Sequence, residues 1–166
     1  FNNAGIEGNW KPIIELSEQE WDDVIDINLK GVWLCLKYEI QQMLQQGTGG
    51  TIVNMSSVAG LMGTPAAAPY GASKHGVISL TKTAALECAQ QKIRVNAVCP
   101  AVIGTPMGDR LFGAPDVQKM TVAMHPIGRW GTPREVAEGV LFMCSDKSSF
   151  MTGHYMVLDG GFLVGP

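Results

Sequence analysis

Apolar side chains recur at helical spacing over two long stretches of the chain. In the first, Ser17 and Glu20 form a capping box, and Trp21, Val24, Ile25, Asn28, Leu29, Val32 and Leu36 follow at intervals of one, three or four residues before Gly47. This pattern predicts one long helix from 18 to about 46. In the second, Val77, Leu80, Thr81, Ala84, Ala85 and Cys88 predict a helix over 70–90. Three short runs show little alternation: Thr51 to Met55, Ile93 to Cys99 and Tyr155 to Leu158. Such runs suit parallel strands buried on both faces. Pro100 is expected to end the second run, since proline has no N–H for a ladder. Residues 100–131, mixed in polarity and interrupted by Gly and Pro, read as a loop. Thr132, Pro133 and Glu135 then supply the N-cap, the first helical position and the reciprocal cap of a helix to about Cys144. Phe1 to Gly5 reads as the end of a strand entering a turn, so further chain is expected before Phe1. Alternating strands and helices predict an α/β layer built on a parallel sheet.

Composition narrows the class. With 166 residues, 46% apolar and 16% charged, the chain has the apolar surface for one domain and too little charge for disorder. Its net charge of -3 and unclustered basic residues argue against nucleic acid as a partner. The absence of an eighteen-residue apolar run or a basic-then-apolar start argues against a membrane span or signal peptide, and the cytoplasm is the expected compartment. Cys35, Cys88, Cys99 and Cys144 form no CxxC pair or zinc spacing and are expected to be reduced core thiols. His75, His125 and His154 lack ligand spacing, so no metal is expected, and Trp10, Trp21, Trp33 and Trp130 read as packing residues of a core or interface.

In an open parallel sheet, ligands bind beyond the carboxyl ends of the strands. Here those ends are Asn2-Asn3-Ala4-Gly5, Ser56-Ser57 and Pro100 to Thr105, all rich in small or polar residues. Tyr70 and Lys74 stand four apart at the start of the second long helix, which puts both on one face. An ammonium there favours the phenolate and suits Tyr70 to general acid or base chemistry. The same spacing also describes a surface Tyr and Lys that merely share a helix face. Ser57, thirteen residues upstream at a strand end, offers a hydroxyl over the same cleft.

Asn2-Asn3-Ala4-Gly5, Asn54-Met-Ser-Ser57, Tyr70-Gly-Ala-Ser-Lys74, Asn96-Ala-Val-Cys-Pro100 and Asp159-Gly-Gly161 together resemble, in order and spacing, the short-chain dehydrogenase/reductase family. The resemblance spans essentially the whole chain. It implies an NAD(P)-dependent oxidoreductase of Rossmann-like α/β fold, with a doubly wound parallel sheet in three α/β/α layers. Residues 1–166 would form the C-terminal two thirds of that single domain. On this resemblance Tyr70 is the catalytic acid/base and Ser57 bonds the substrate oxygen. Ser56 and Ser57 are equivalent as residues; the family's spacing to Tyr70 selects Ser57. Lys74 would bind the nicotinamide ribose hydroxyls and lower the tyrosine pKa. Asn28, read alone, is a helix polar residue paired to backbone. The resemblance makes it a fourth catalytic member that orders a water reaching Lys74.

The same resemblance implies cofactor contacts, to NAD or NADP, from Asn3, Ala4, Gly5, Tyr70, Lys74, Pro100, Ile103 and Thr105. Thr105 read alone is an N-cap or turn residue. Ala101 stands where relatives usually carry Gly, a departure in the nicotinamide loop. The family's Gly-rich phosphate loop does not occur in the chain and is expected to precede Phe1, together with the residue that distinguishes NAD from NADP. Residues 105–131 would form a substrate lid, with Met107 touching substrate and Leu111, Phe112, Met120 and Met124 making it apolar. A medium-sized secondary alcohol or ketone is the implied substrate. A 3-oxoacyl reductase of fatty-acid synthesis and a non-catalytic scaffold relative are the alternatives. A homotetramer is implied as well, in keeping with apolar residues on more than one stripe of the two long helices.

Overall fold

The computed structural model describes residues 1–165. Strands β1 (Gly50–Met55), β2 (Ile93–Pro100) and β3 (Tyr155–Leu158) form a parallel sheet in the order β1-β2-β3. Ile52 lies opposite Val95, Asn54 opposite Ala97 and Cys99 opposite Val157. Outside β1, Asn2 makes a parallel bridge to Asn54, and its N–H donates to the Val53 carbonyl at 2.9 Å. The strand end expected at Phe1 to Gly5 is therefore present as a single bridge. Pro100 ends β2 as expected, and is itself its last residue. It pairs in register with Leu158, and the ladder runs one residue further, from Ala101 N–H to the Leu158 carbonyl at 3.2 Å. A terminal proline sacrifices a donor that this position does not need.

Helices cover both faces. Val32 and Leu36 of α2 (Gly31–Gln46) and Val77, Ala84 and Ala85 of α3 (Ala68–Cys88) pack on Ile52, Ile93 and Val95. Across the sheet, Val136, Val140 and Met143 of α6 (Pro133–Cys144) pack on Val53 and Val98. Ile52 and Val53 are neighbours in sequence yet enter different cores, because successive strand side chains point to opposite faces. That is why the strands lack polar alternation, and it gives the three-layer arrangement.

Before α2, the helical path begins at α1 (Glu18–Ile25), opened by the Ser17 and Glu20 capping box. The expected single helix is interrupted by a π-helical segment at Asp26–Lys30, where the Gly31 N–H reaches back five residues to the Asp26 carbonyl. Gly47, at φ 70°, ends α2 in the left-handed region. The expected loop over 100–131 contains two helices, α4 (Pro106–Phe112) and α5 (Pro115–Ala123). Each starts on a proline, whose fixed φ and missing N–H suit a first helical turn. Cys88 and Cys99 are buried, as expected of core thiols, whereas Cys35 and Cys144 face outward from α2 and α6. Among the described residues no helix is long and apolar enough to cross a membrane.

Candidate active site

The carboxyl ends of β1 and β2 and the start of α3 meet at one edge of the sheet. Lys74, only 3% exposed, sends its ammonium back to the Met55 carbonyl at 3.0 Å. Burial lowers its pKa to about 8, with the nearby Cys99 thiol pulling the other way. One protein acceptor leaves the ammonium with two further N–H donors. Its Nζ lies 5.5 Å from the centre of the Tyr70 ring. Burial pushes the Tyr70 phenol above its ordinary pKa; hydrogen bonding from Ser57 opposes this and the Glu7 carboxylate adds to it. The lowering expected from Lys74 is therefore not found: desolvation raises the phenol, and it is Ser57 that opposes the rise.

The two adjacent serines have different settings. Ser56 is buried and donates to the Lys74 backbone carbonyl at 2.9 Å, tying β1 to α3. Ser57 is half-buried; its hydroxyl accepts from the Ala59 N–H at 3.1 Å and donates to the Pro100 carbonyl at 3.4 Å. Only Ser57 faces Tyr70, so the geometry separates two residues that composition could not.

Asn28 lies in the π-helical segment, fully buried. Its amide grips both backbone groups of Ile6, accepting from the N–H and donating to the carbonyl, each at 2.8 Å. It also donates to the Ser73 hydroxyl at 3.3 Å, and Ser73 donates to the Tyr70 carbonyl at 2.7 Å. Asn28 is thus paired to backbone, as its residue type alone suggested, and it also stands at the site. A methyl group on Gly5 would come within 3.2 Å of Asn28 Oδ1 and 3.5 Å of Lys74 Nζ, so the chain passes close to both.

Asn3 and Ala4 are exposed beside this edge, where a bound group could reach them. Thr105 caps α4 by accepting from the Gly108 N–H at 3.2 Å and donates to the Ile103 carbonyl at 3.3 Å. Ile103 bridges Gly131. Met107 sits in the first turn of α4, half-buried. Ser73, Met55 and Glu7 belong to this neighbourhood without having been singled out in the sequence. Ser73 could have been found from its place inside the Tyr70-to-Lys74 segment; Glu7 carried no signal, because its effect depends on a contact far along the chain.

Comparisons with known proteins agree with this fold. The family model described as enoyl-(acyl carrier protein) reductase matches residues 1–163. The chain is 44% identical over 164 residues to the 3-oxoacyl-(acyl-carrier-protein) reductase FabG of Thermotoga maritima, covering 98% of this chain and 65% of that protein. It is 47% identical over 162 residues to the cyclohexanol dehydrogenase of an Acinetobacter species, covering 98% of this chain and 62% of that one. The chain thus spans a little under two thirds of the length of these relatives. Among solved structures, a 4-hydroxyisoleucine dehydrogenase complexed with NADH superposes with a TM-score of 0.94 at 35% identity, over 99% of this chain and 68% of that one. ElxO with NADP bound superposes at 0.90 with 36% identity, over 98% of this chain and 66% of that one. The parallel sheet with its flanking helices, the convergence of Ser57, Tyr70 and Lys74, and these matches agree: the chain belongs to the short-chain dehydrogenase/reductase family.

Proposed function

We propose that this protein is an NAD(P)-dependent oxidoreductase that interconverts a secondary alcohol and a ketone, with Tyr70 as acid/base. The observation that carries the proposal is the meeting of the Ser57 hydroxyl, the Tyr70 phenol and a buried Lys74 ammonium at one sheet edge. A scaffold has no need to bury an ammonium beside a phenol. Relatives whose structures hold NADH or NADP support the choice of cofactor.

The residues present fit such a cofactor. Lys74 keeps two donors for a pair of ribose hydroxyls, and Gly5 leaves the approach free of a side chain. Asn3, Ala4, Gly5, Pro100, Ile103 and Thr105 would line the rest of its path. When bound, the nicotinamide supplies the hydride chemistry. Ser57 and Tyr70 hold the substrate oxygen, where negative charge grows as a carbonyl is reduced. Tyr70 donates its proton to that oxygen in reduction and accepts it in oxidation. Lys74, cationic at neutral pH, stabilises the phenolate left behind. Asn28 keeps Ile6 and, through Ser73, the first turn of α3 in place. The segment 105–131, with Met107 in α4, would cover the substrate and give the cleft an apolar wall.

Assay of cyclohexanol, cyclohexanone and an acetoacetyl thioester with both nicotinamide cofactors tests the reading. Turnover of the alcohol or ketone supports it. Preference for the thioester favours the second reading, a 3-oxoacyl reductase, which the 44% identity to FabG supports. No turnover of any of them would leave a non-catalytic scaffold. The apolar outer faces of α2 and α6, with Trp33 46% and Leu141 62% exposed, support a homotetramer. Four unbridged thiols are in keeping with a reducing, cytoplasmic setting. A monomer mass by light scattering would overturn the assembly.

A further inference from the structure

Beside the catalytic edge, two segments more than a hundred residues apart in sequence are joined by two unlike contacts. Arg110 of α4 donates from Nε and Nη2 to the same oxygen of Glu7, at 2.9 and 2.8 Å. Phe112, at the end of the same helix, meets Trp10 edge to face with ring centres 5.7 Å apart. Glu7 and Trp10 belong to a loop that is fixed at both ends. Ile6 is held by Asn28, while the Lys11 N–H donates to the Ala66 carbonyl at 2.7 Å and Asn9 donates to Glu20 at 2.8 Å. Gly8, at φ +67°, packs so closely on Val24 that a Cβ there would lie 2.5 Å from its side chain.

The partners on α4 are less constrained. The helix has seven residues, and the Arg110 side chain is 60% exposed against 19% for Glu7. Glu7 also stands close enough to Tyr70 for its charge to bear on the phenol. The contact therefore lies at the catalytic cleft, between a rigid rim and a short helix that carries Met107.

We propose that Glu7 and Arg110 are positioning residues: with Trp10 and Phe112 they latch α4 to the rim of the Tyr70 cleft and so set where Met107 meets the substrate. The inference rests on the oxidoreductase reading for its consequence on catalysis, though not for the latch itself. An exposed ion pair and one aromatic contact are individually weak. Such a latch opens readily for substrate and closes again, which a buried pair would not do. Loss of the pair leaves Ser57, Tyr70 and Lys74 untouched and loosens only the wall against which the substrate rests.

Two measurements on the full chain test this. In Glu7→Gln and Arg110→Gln, backbone amides of α4 are expected to exchange roughly 3–10-fold faster, with those of β1 and β2 unchanged. Equal exchange in α4 overturns the latch whether or not the protein turns anything over. With cyclohexanol or cyclohexanone, whichever is turned over, each variant is expected to raise the substrate KM about 3–10-fold and leave kcat within about twofold. The charge-exchanged double variant Glu7→Arg with Arg110→Glu should bring KM back to within about twofold of the parent. A fall in kcat without a change in KM, or no rescue by the exchange, overturns the positioning role. A parent protein inactive on the whole panel would instead count against the oxidoreductase reading, and the exchange experiment still decides the latch.

Discussion

Tyr70→Phe removes one hydroxyl and keeps the ring, so it separates chemistry from packing at the start of α3. Activity is expected to fall about 10²–10⁴-fold, with an unchanged circular dichroism spectrum. Retention of half the parent rate would exclude Tyr70 as the proton donor. Lys74 offers a test that needs no substrate. Burial lowers its pKa from the ordinary 10.5 to about 8 on folding, so the native chain gives up a proton before the unfolded chain does. Stability therefore rises with pH as the solution passes through about 8. The raised Cys88 and Cys99 thiols act in the opposite sense from about pH 8 upward, as the unfolded thiols ionise, and the raised Tyr70 phenol from about pH 9. Between pH 7.5 and 8.5 Lys74 alone is expected to contribute a gain of ~0.7 kcal/mol, read by urea denaturation as the difference between the parent and Lys74→Met. In Lys74→Met that gain should vanish. The identities of Ser57, Tyr70 and Lys74 were legible from spacing and resemblance. The direction of the tyrosine shift was not, because desolvation depends on what surrounds the phenol and not on its neighbour four residues away.

Secondary-structure signals were clear wherever caps and periodicity coincided. Thr132, Pro133 and Glu135 marked the start of α6 to the residue. Thr105 and Pro106 make the same kind of start for α4, yet only seven residues follow before Gly113, too few to show a period. The two caps predict different outcomes. Thr132→Ala takes a capping box from a helix whose Val136, Val140 and Met143 fill one core, and should lower the urea midpoint by an amount equivalent to ~1 kcal/mol. Thr105→Ala removes the cap of a peripheral helix and should leave that midpoint nearly unchanged while α4 amides exchange faster. Equal global losses for both would contradict the peripheral standing of α4. The π-helical segment could not be seen in the sequence, since shifting one turn of hydrogen bonds barely alters the spacing of Val24, Leu29 and Val32.

At the scale of the whole molecule, the parallel sheet alternating with helices followed from local signals, the doubly wound three-layer arrangement came from the family resemblance, and the strand order β1-β2-β3 was seen only in the structure. Contacts that cross the fold were beyond reach: the grip of Asn28 on Ile6 and of Arg110 on Glu7 exists only once the sheet has brought their elements together. The outer face of α2 makes a prediction at this scale. Trp33 is 46% exposed beside Leu29 and Leu80, and Trp33→Glu is expected to reduce the mass measured by light scattering without changing the helical content. An unchanged mass would remove this face from any assembly. The π-helical turn has a further consequence for the molecule's history. The wide turn holds one residue more than an α turn, so excising one residue from Asp26–Lys30 would restore regular hydrogen bonding and leave every later position of α2 at its own angle around the axis. Val32 and Leu36 would stay in the core and Trp33 on the outer face, and only the turn that carries Asn28 would change. The irregular turn is thus a slack link: it holds a surplus residue beside the site and leaves the layer packed beyond it undisturbed.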